Sequence, residues 1–443
     1  MIFHYPELAL TQGILIVLSI RWLFKRNDEL PLLLNSLLFY VTSYRYWAVN
    51  QGINNWISLS QYGLSPVTNE SAVDGLNYIV MGQILLVATY MYKQTAVIPS
   101  IEPKMLKMSP FFRWVRPKVL IFGVICLPLS LFARSYVRSQ FLAGKSLAFQ
   151  ISGYASMLPM VLIGIATLIL CVWKVGGMPK LTHKVIAAVI LAGVVNYTFR
   201  ISGRFQFIGW IVTAGIILSS TYKPKLRLMF LSLCATAGAA YFGIAGVLRG
   251  VAQGYIPTEQ IDTATWLRLS SAEDANMLDG FVMLKEAFTH IVPFRFGMAH
   301  IEILMRPIPR ALWPNKPVGG GYLQAVGLVD PTTGSTLGFS PTLFGDFYSE
   351  GGLIAIIIFS ILYGLLFAYI VRLSLKLHPF SGLLIRAILL SSMVPLLRGG
   401  DLPGIYSWIG MSFWPCFLLM WLKRKELSPN RAENTVKKYL LLK

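Results

Sequence analysis

The sequence predicts an all-α polytopic membrane protein, on three observations. Only 13% of the 443 residues are charged and 55% are hydrophobic, against about 25% charged in ordinary soluble domains. Mean hydropathy is +0.61. Apolar runs near the roughly 20 residues that cross a hydrocarbon core recur from end to end. The chain therefore reads as a single transmembrane domain over 1–443.

In order, spans are expected at 8–24, 30–50, 74–95, 118–136, 147–173, 184–201, 205–222, 226–248, 350–371, 381–397 and 404–422, about eleven helices. The first is stopped by Lys25 and Arg26 and lacks a basic leader or a small-residue cleavage site, so it is expected to stay as an anchor. Pro128, Pro159, Gly164, Pro395 and Pro415 fall inside spans. A bundle tolerates them by re-satisfying the freed backbone groups, at the cost of kinks.

Orientation follows from the connectors, because cytoplasmic loops keep an excess of Lys and Arg. One side holds 23 Lys and Arg against five acids, the other 13 against 14. The N-terminus is therefore expected outside and the C-terminus in the cytoplasm, with 423–443 a basic cytoplasmic tail that reads most simply as a stop-transfer anchor on anionic lipid.

Two outer loops are large, 51–73 and the external loop 249–340, and the second exceeds the length at which structureless loops become uncommon. Ser271 with Asp274 three residues on resembles a helix start, and Met277, Leu278, Phe281, Leu284, Phe288 and Ile291 recur at helical spacing. This amphipathic helix is expected to cover the bundle in preference to recognising lipid. No internal repeat is evident, which disfavours transporters built from duplicated halves.

A net charge of +20 invites a nucleic-acid partner, but the cations are spread over short connectors and make no contiguous basic face, so that partner is rejected. Cys126, Cys171, Cys234 and Cys416 lie in apolar runs without metal-type spacing and read as small buried side chains. His290 and His300 are ten apart, which is no metal-ligand spacing on a helix. Asp-x-Asp, GxxxxGK[ST] and GxSxG are all absent from the sequence. No metal or cofactor is expected.

Cytoplasmic cations are explained by topology; outer ones are not. Arg200 and Arg204 lie four apart at the outer boundary of the sixth span, Arg249 ends the eighth, and Arg398 ends the tenth, three residues before Asp401. Each could snorkel separately to headgroups. Several Arg at one level of one face suggest instead an anionic partner, since a guanidinium fork gives paired bonds to a diphosphate at any relevant pH. Glycines beside them, in Arg200–Arg204 and after Arg398, either admit backbone N–H groups to such an anion or end helices.

The tract 305–322 sets Arg306, Arg310, Trp313 and Lys316 among four prolines. Restrained backbone there holds cations for phosphate and an indole for a sugar face, or forms a rigid interfacial strap with Trp313 in the aromatic belt. Asp346, Glu350 and Asp401 are outer acids suited to accepting a proton, pairing with Arg or capping helices, the last two uses being the more ordinary.

At IPRALWPNKP, GDFYSEGG and LLRGGD the chain resembles the Wzy-type oligosaccharide repeat-unit polymerases, within the O-antigen polymerase and ligase group of bacterial envelopes. The resemblance implies a GT-C-like, metal-independent membrane glycosyltransferase at the outer face of the bacterial cytoplasmic (inner) membrane. Its substrate would be an undecaprenyl-diphosphate-linked oligosaccharide, whose growing chain passes to the next lipid-linked repeat unit. A chain-length regulator is a further expected partner. Carried onto this sequence, Arg200, Arg204, Arg249 and Arg398 would hold the diphosphate, supplemented by Arg306 and Arg310. Glu350, Asp346, Asp401 and His300 are the candidate proton acceptors. The family pattern has two large outer loops with arginine-rich repeats, whereas here one loop is long. An O-antigen-type ligase, a flippase for lipid-linked oligosaccharide and an envelope scaffold are the rival readings.

Overall fold

The structure, a computed structural model, describes residues 3–57, 64–102, 106–107, 109–142, 160–198, 204–252, 275–306, 308, 312–313 and 340–427. Among these, the regular elements are helices. Helix α1 (Tyr5–Arg26) stops at Asn27, whose left-handed backbone (φ 54) ends the hydrogen-bond ladder. The chain returns through α2 (Leu30–Phe39), a π-turn at Tyr40–Tyr44 and α3 (Arg45–Asn50). Helix α4 (Asn69–Lys93) starts where Thr68 accepts the Ser71 N–H. Next come α5 (Pro110–Leu142), α6 (Val161–Cys171) with a π-turn to Gly176, α7 (Leu181–Thr198), α8 (Arg204–Ser219) and α9 (Pro224–Ala252). The long loop contributes α10 (Met277–His290) and α11 (Met298–Met305), and the chain ends through α12 (Thr342–Lys376), α13 (Pro379–Arg398) and α14 (Leu402–Leu422).

Among the described residues eight helices, α1, α4, α5, α7, α9, α12, α13 and α14, are long and apolar enough to cross a membrane. The chain is therefore multi-pass in character. The other three expected crossings coincide with the interrupted α2–α3 and with the shorter apolar helices Val161–Gly176 and Ile208–Ser219. Helix α13 is the axis of the bundle: 89% of its apolar window is buried, against 22% for α14. Glycines let partners close on it and on each other. A Cβ at Gly364 of α12 would lie 2.7 Å from the Leu86 carbonyl oxygen of α4, and one at Gly82 of α4 would lie 2.9 Å from Ile356 of α12.

Polar networks tie the buried faces of the helices together. The π-turn brings Thr42 and Ser43 to Gln12, which bonds Gln83, which in turn bonds Asn35 and through it Ser19. Arg45 has no acid in its own apolar run, yet it forms a two-pronged pair with Asp279 of α10 at 2.9 and 3.0 Å. At the opposite end Arg227 pairs with Glu29 at 2.8 Å, Tyr90 and Trp22 donate to Asp28, and Arg386 interacts electrostatically with Glu29, Asp28 and Tyr90. Burial and the neighbouring Glu29 push the Asp28 carboxyl up to about 6.

The expected amphipathic helix is observed as α10. Its start at Ser271 and Asp274 lies outside the described residues. Leu278, Phe281, Leu284 and Phe288 are buried against the bundle, whereas Ile291, the last of the predicted stripe, falls beyond the helix and is exposed. Ser340 and Pro341 pass so close to Gly280 that a Cβ there would clash.

Candidate functional site

Two ends of the bundle can be told apart. The basic end holds Asn27, Glu29 and Arg227, and Ile101 reaches Ser220 just past α8 there. Helix α8 therefore runs toward that end and α13 away from it, through Arg386 to Arg398. At the other, loop-rich end stand most of the residues singled out from the sequence.

Helix α12 begins earlier than the expected span, and its first turns are a separate half-helix. Gly351 and Gly352 leave helical geometry, with Gly352 at φ 66, a left-handed backbone that favours glycine. The sequence places Asp346 and Glu350 among the outer acids at the mouth of the ninth span. The half-helix instead packs its residues into the bundle, so both carboxylates are buried, 5% and 2% exposed. Asp346 accepts the Gly400 N–H through both oxygens, at 3.0 and 3.2 Å. This joins the half-helix to the α13–α14 turn, where Gly399 (φ 69) and Gly400 (φ 104) need left-handed backbone. A Cβ on Gly399 would strike the Thr342 carbonyl oxygen.

Helix α11 is stitched to the same half-helix. Arg295 and Phe296 donate backbone N–H groups to the Ser349 and Glu350 carbonyls at 2.9 Å. Glu350 Oε1 accepts the Ala299 N–H at 2.9 Å, capping α11. Its Oε2 is buried with no hydrogen bond among the described residues. Arg295 pairs with Glu302 at 2.6 Å. Arg306, at the end of α11, lies 4.0 Å from Asp401, which caps α14 through the Gly404 N–H at 3.0 Å. Asp346 interacts electrostatically with both Asp401 and Glu350, so three carboxylates share one neighbourhood.

His300 of α11 stacks on Phe359 at 4.2 Å, and its Nε2 is 3.3 Å from the Tyr363 hydroxyl. Tyr406 donates to Tyr363 in turn. Burial lowers the imidazole pKa to about 4, so the ring is neutral near pH 7. Its Nδ1 is buried without a hydrogen bond among the described residues.

Arg398 is half-buried at the end of α13, three residues before Asp401. A Cβ on Gly209 of α8 would lie 3.3 Å from the Ser391 carbonyl oxygen of α13. From that contact Arg204 is about 7.5 Å along α8 and Arg398 about 10.5 Å along α13, at 1.5 Å per residue in opposite chain directions. The two backbones thus reach one level. Arg249 stands about 33 Å of helix beyond Arg227, against about 18 Å from Arg386 to Arg398, so its backbone lies farther toward the loop-rich end. Trp313 is half-buried. Arg200, Arg310 and Lys316 lie outside the described residues.

The structure brings Arg306, Arg398, Asp346, Glu350, Asp401 and His300 to one end of the bundle. Sequence reasoning missed Arg295, Tyr363 and Tyr406. The tyrosines are polar-tipped aromatics inside apolar runs, and nothing in their spacing signals a partner. Among the described residues no three His, Cys, Asp or Glu side chains are grouped as metal ligands. No family model matches the chain, and neither curated proteins nor solved structures give a significant match.

Proposed function

We propose that this chain is a membrane glycosyltransferase that polymerises oligosaccharide repeat units linked to undecaprenyl diphosphate, with the loop-rich end facing outward from the bacterial cytoplasmic membrane. The observation that carries this reading is the approach of Arg306 to Asp401 at 4.0 Å, with Arg398 three residues before Asp401 at the end of α13 and the Arg204 backbone level with it. Distant stretches of chain deliver cations to one end, as a diphosphate headgroup at membrane depth requires.

In the proposed reaction an acceptor sugar hydroxyl attacks the anomeric carbon of the donor from the face opposite the diphosphate. The new C–O bond forms as the bond to the diphosphate oxygen breaks, and the electron pair leaves on the diphosphate. Arg398 and Arg306 stabilise that charge as it develops. Glu350 takes the hydroxyl proton. It is chosen among the three acids because its Oε1 caps α11 while its Oε2 accepts no hydrogen bond among the described residues, whereas both Asp346 oxygens take the Gly400 N–H, and Asp401 takes the Gly404 N–H through one oxygen and faces Arg306 with the other. His300, neutral and stacked, positions α11.

A ligase for a finished glycan uses the same donor chemistry and shares this site. The flippase reading is less well supported. Its coupling charges belong near the membrane midplane, and the network between α1, α2 and α4 is uncharged and internally bonded. The test is purified protein with a lipid-linked repeat unit. Wild type should build ladder products, and Arg398→Ala should slow them about 10²- to 10³-fold, the loss typical of one transition-state charge partner. Undiminished ladders in Arg398→Ala and Arg306→Ala would remove the mechanism.

A further inference from the structure

At the basic end, far from the arginines above, α4 and α12 leave a groove of about 460 Å³. Lys93 closes one side, and Arg372 and Lys376 the other. Among the described residues none of the three has a carboxylate partner, and no acid lines the groove. Of the acids at this end, Asp28 and Glu29 are turned inward to Tyr90, Trp22 and Arg227, and Glu426 pairs with Lys423 at 2.6 Å.

The remaining walls are Leu365, Ala368, Tyr369 and Leu373. With Arg372 and Lys376 these residues recur at helical spacing along one stripe of α12, apolar toward the bundle centre and cationic in the last turn. Leu362 and Leu366, 49% and 40% exposed, continue the apolar surface toward the membrane interior. Tyr92 and Tyr369, 76% and 63% exposed, flank the cations where an aromatic belt belongs.

We infer that this groove is a binding site for one anionic diacyl phospholipid, its phosphate held by Lys93, Arg372 and Lys376 and an acyl chain laid along Leu373, Tyr369 and Leu365. Charge complementarity selects the headgroup: three cations converge on one cleft with no internal anion to satisfy them. The apolar stripe selects a lipid over a free anion. A lipid wedged there bridges α4 to α12, the helix whose far half carries Asp346 and Glu350.

The experiment is native mass spectrometry of the purified full chain carrying phosphatidylglycerol or phosphatidylcholine of identical acyl chains. One phosphatidylglycerol per chain is expected to survive activation that strips phosphatidylcholine. Each cation near a headgroup is worth about fivefold in affinity. Arg372→Gln with Lys376→Gln should therefore lose retention by well over tenfold, and Lys93→Gln, on the other wall, by about fivefold. Lys180→Gln with Lys184→Gln, exposed at the same end and outside the groove, should change nothing. Equal retention of the two lipids, an equal loss in the Lys180/Lys184 variant, or displacement of the lipid by millimolar inorganic phosphate would each overturn the inference. If the double variant fails to fold, Lys93→Gln alone decides.

Discussion

Removing Asp279 should unfasten the loop-rich end from the bundle. Its carboxylate takes two charge-assisted bonds from Arg45, at 2.9 and 3.0 Å, and the Ile57 N–H at 3.0 Å. The two side chains are only 1% and 0% exposed. In Asp279→Ala the guanidinium keeps the Asn55 carbonyl at 2.7 Å and the Trp56 ring at 5.8 Å, neither of which neutralises it. Two charge-assisted bonds at about 1.5–3 kcal/mol each give about 3–6 kcal/mol, and breaking a buried pair from one side costs about 3–5 kcal/mol. A loss of about 4 kcal/mol is therefore expected. The assay is reversible unfolding in mixed micelles of wild type, Asp279→Ala, Arg45→Leu and the double variant. Because the penalty is an uncompensated buried charge, the double variant should be more stable than Asp279→Ala. Asp279→Ala within about 0.5 kcal/mol of wild type would refute the reasoning, because that is the size of an ordinary surface substitution.

Gly399→Ala should abolish product formation and lower the unfolding midpoint, because its Cβ meets the Thr342 carbonyl and φ is 69; normal activity would show that the α13–α14 turn is unimportant. Gly364→Val should destabilise by about 1–3 kcal/mol by forcing α12 off the Leu86 carbonyl and Thr89, measured by the same unfolding assay. His300 is held neutral by burial, with its pKa lowered to about 4. The folded state then binds fewer protons than the unfolded chain between about pH 6.5 and 4, so stability is full above that window and falls with acidification through it. His378, also lowered to about 4 by burial, acts in the same sense, while Asp28, raised to about 6, acts in the opposite one. His300→Gln should flatten the decline in thermal midpoint between pH 6.5 and 4, and an unchanged slope would contradict the assignment.

Hydropathy made the membrane spans and the apolar stripe of α10 legible, because burial of a helix face leaves a periodic trace in the chain. Interruptions inside spans were not. Tyr40–Tyr44 reads as an ordinary apolar stretch, and the partner of its π-turn, Gln12, which bonds Thr42 and Ser43, comes from another helix. The location of charge was legible and its pairing was not: Arg45 and Asp279 are 234 residues apart, and no local rule joins them. The same holds for Arg306 with Asp401. Asp346 and Glu350 were recognisable as acids at the start of a span, and the paired glycines that follow them are the trace of the kink. Their burial depended on α11 and the α13–α14 turn closing over them, which spacing along the chain does not encode. The site arginines drew attention only because the orientation rule gives no reason for cations at that end.

The central claim, that guanidinium groups at the loop-rich end grip a lipid diphosphate, is tested most directly by titrating the purified chain in nanodiscs with undecaprenyl diphosphate. Binding should weaken about tenfold or more in Arg398→Ala and in Arg306→Ala, consistent with about 1.5–3 kcal/mol for each charge-assisted contact. Arg398→Lys should recover part of the affinity, since it restores the charge without the fork. Equal affinity in wild type and both alanine variants would contradict the account.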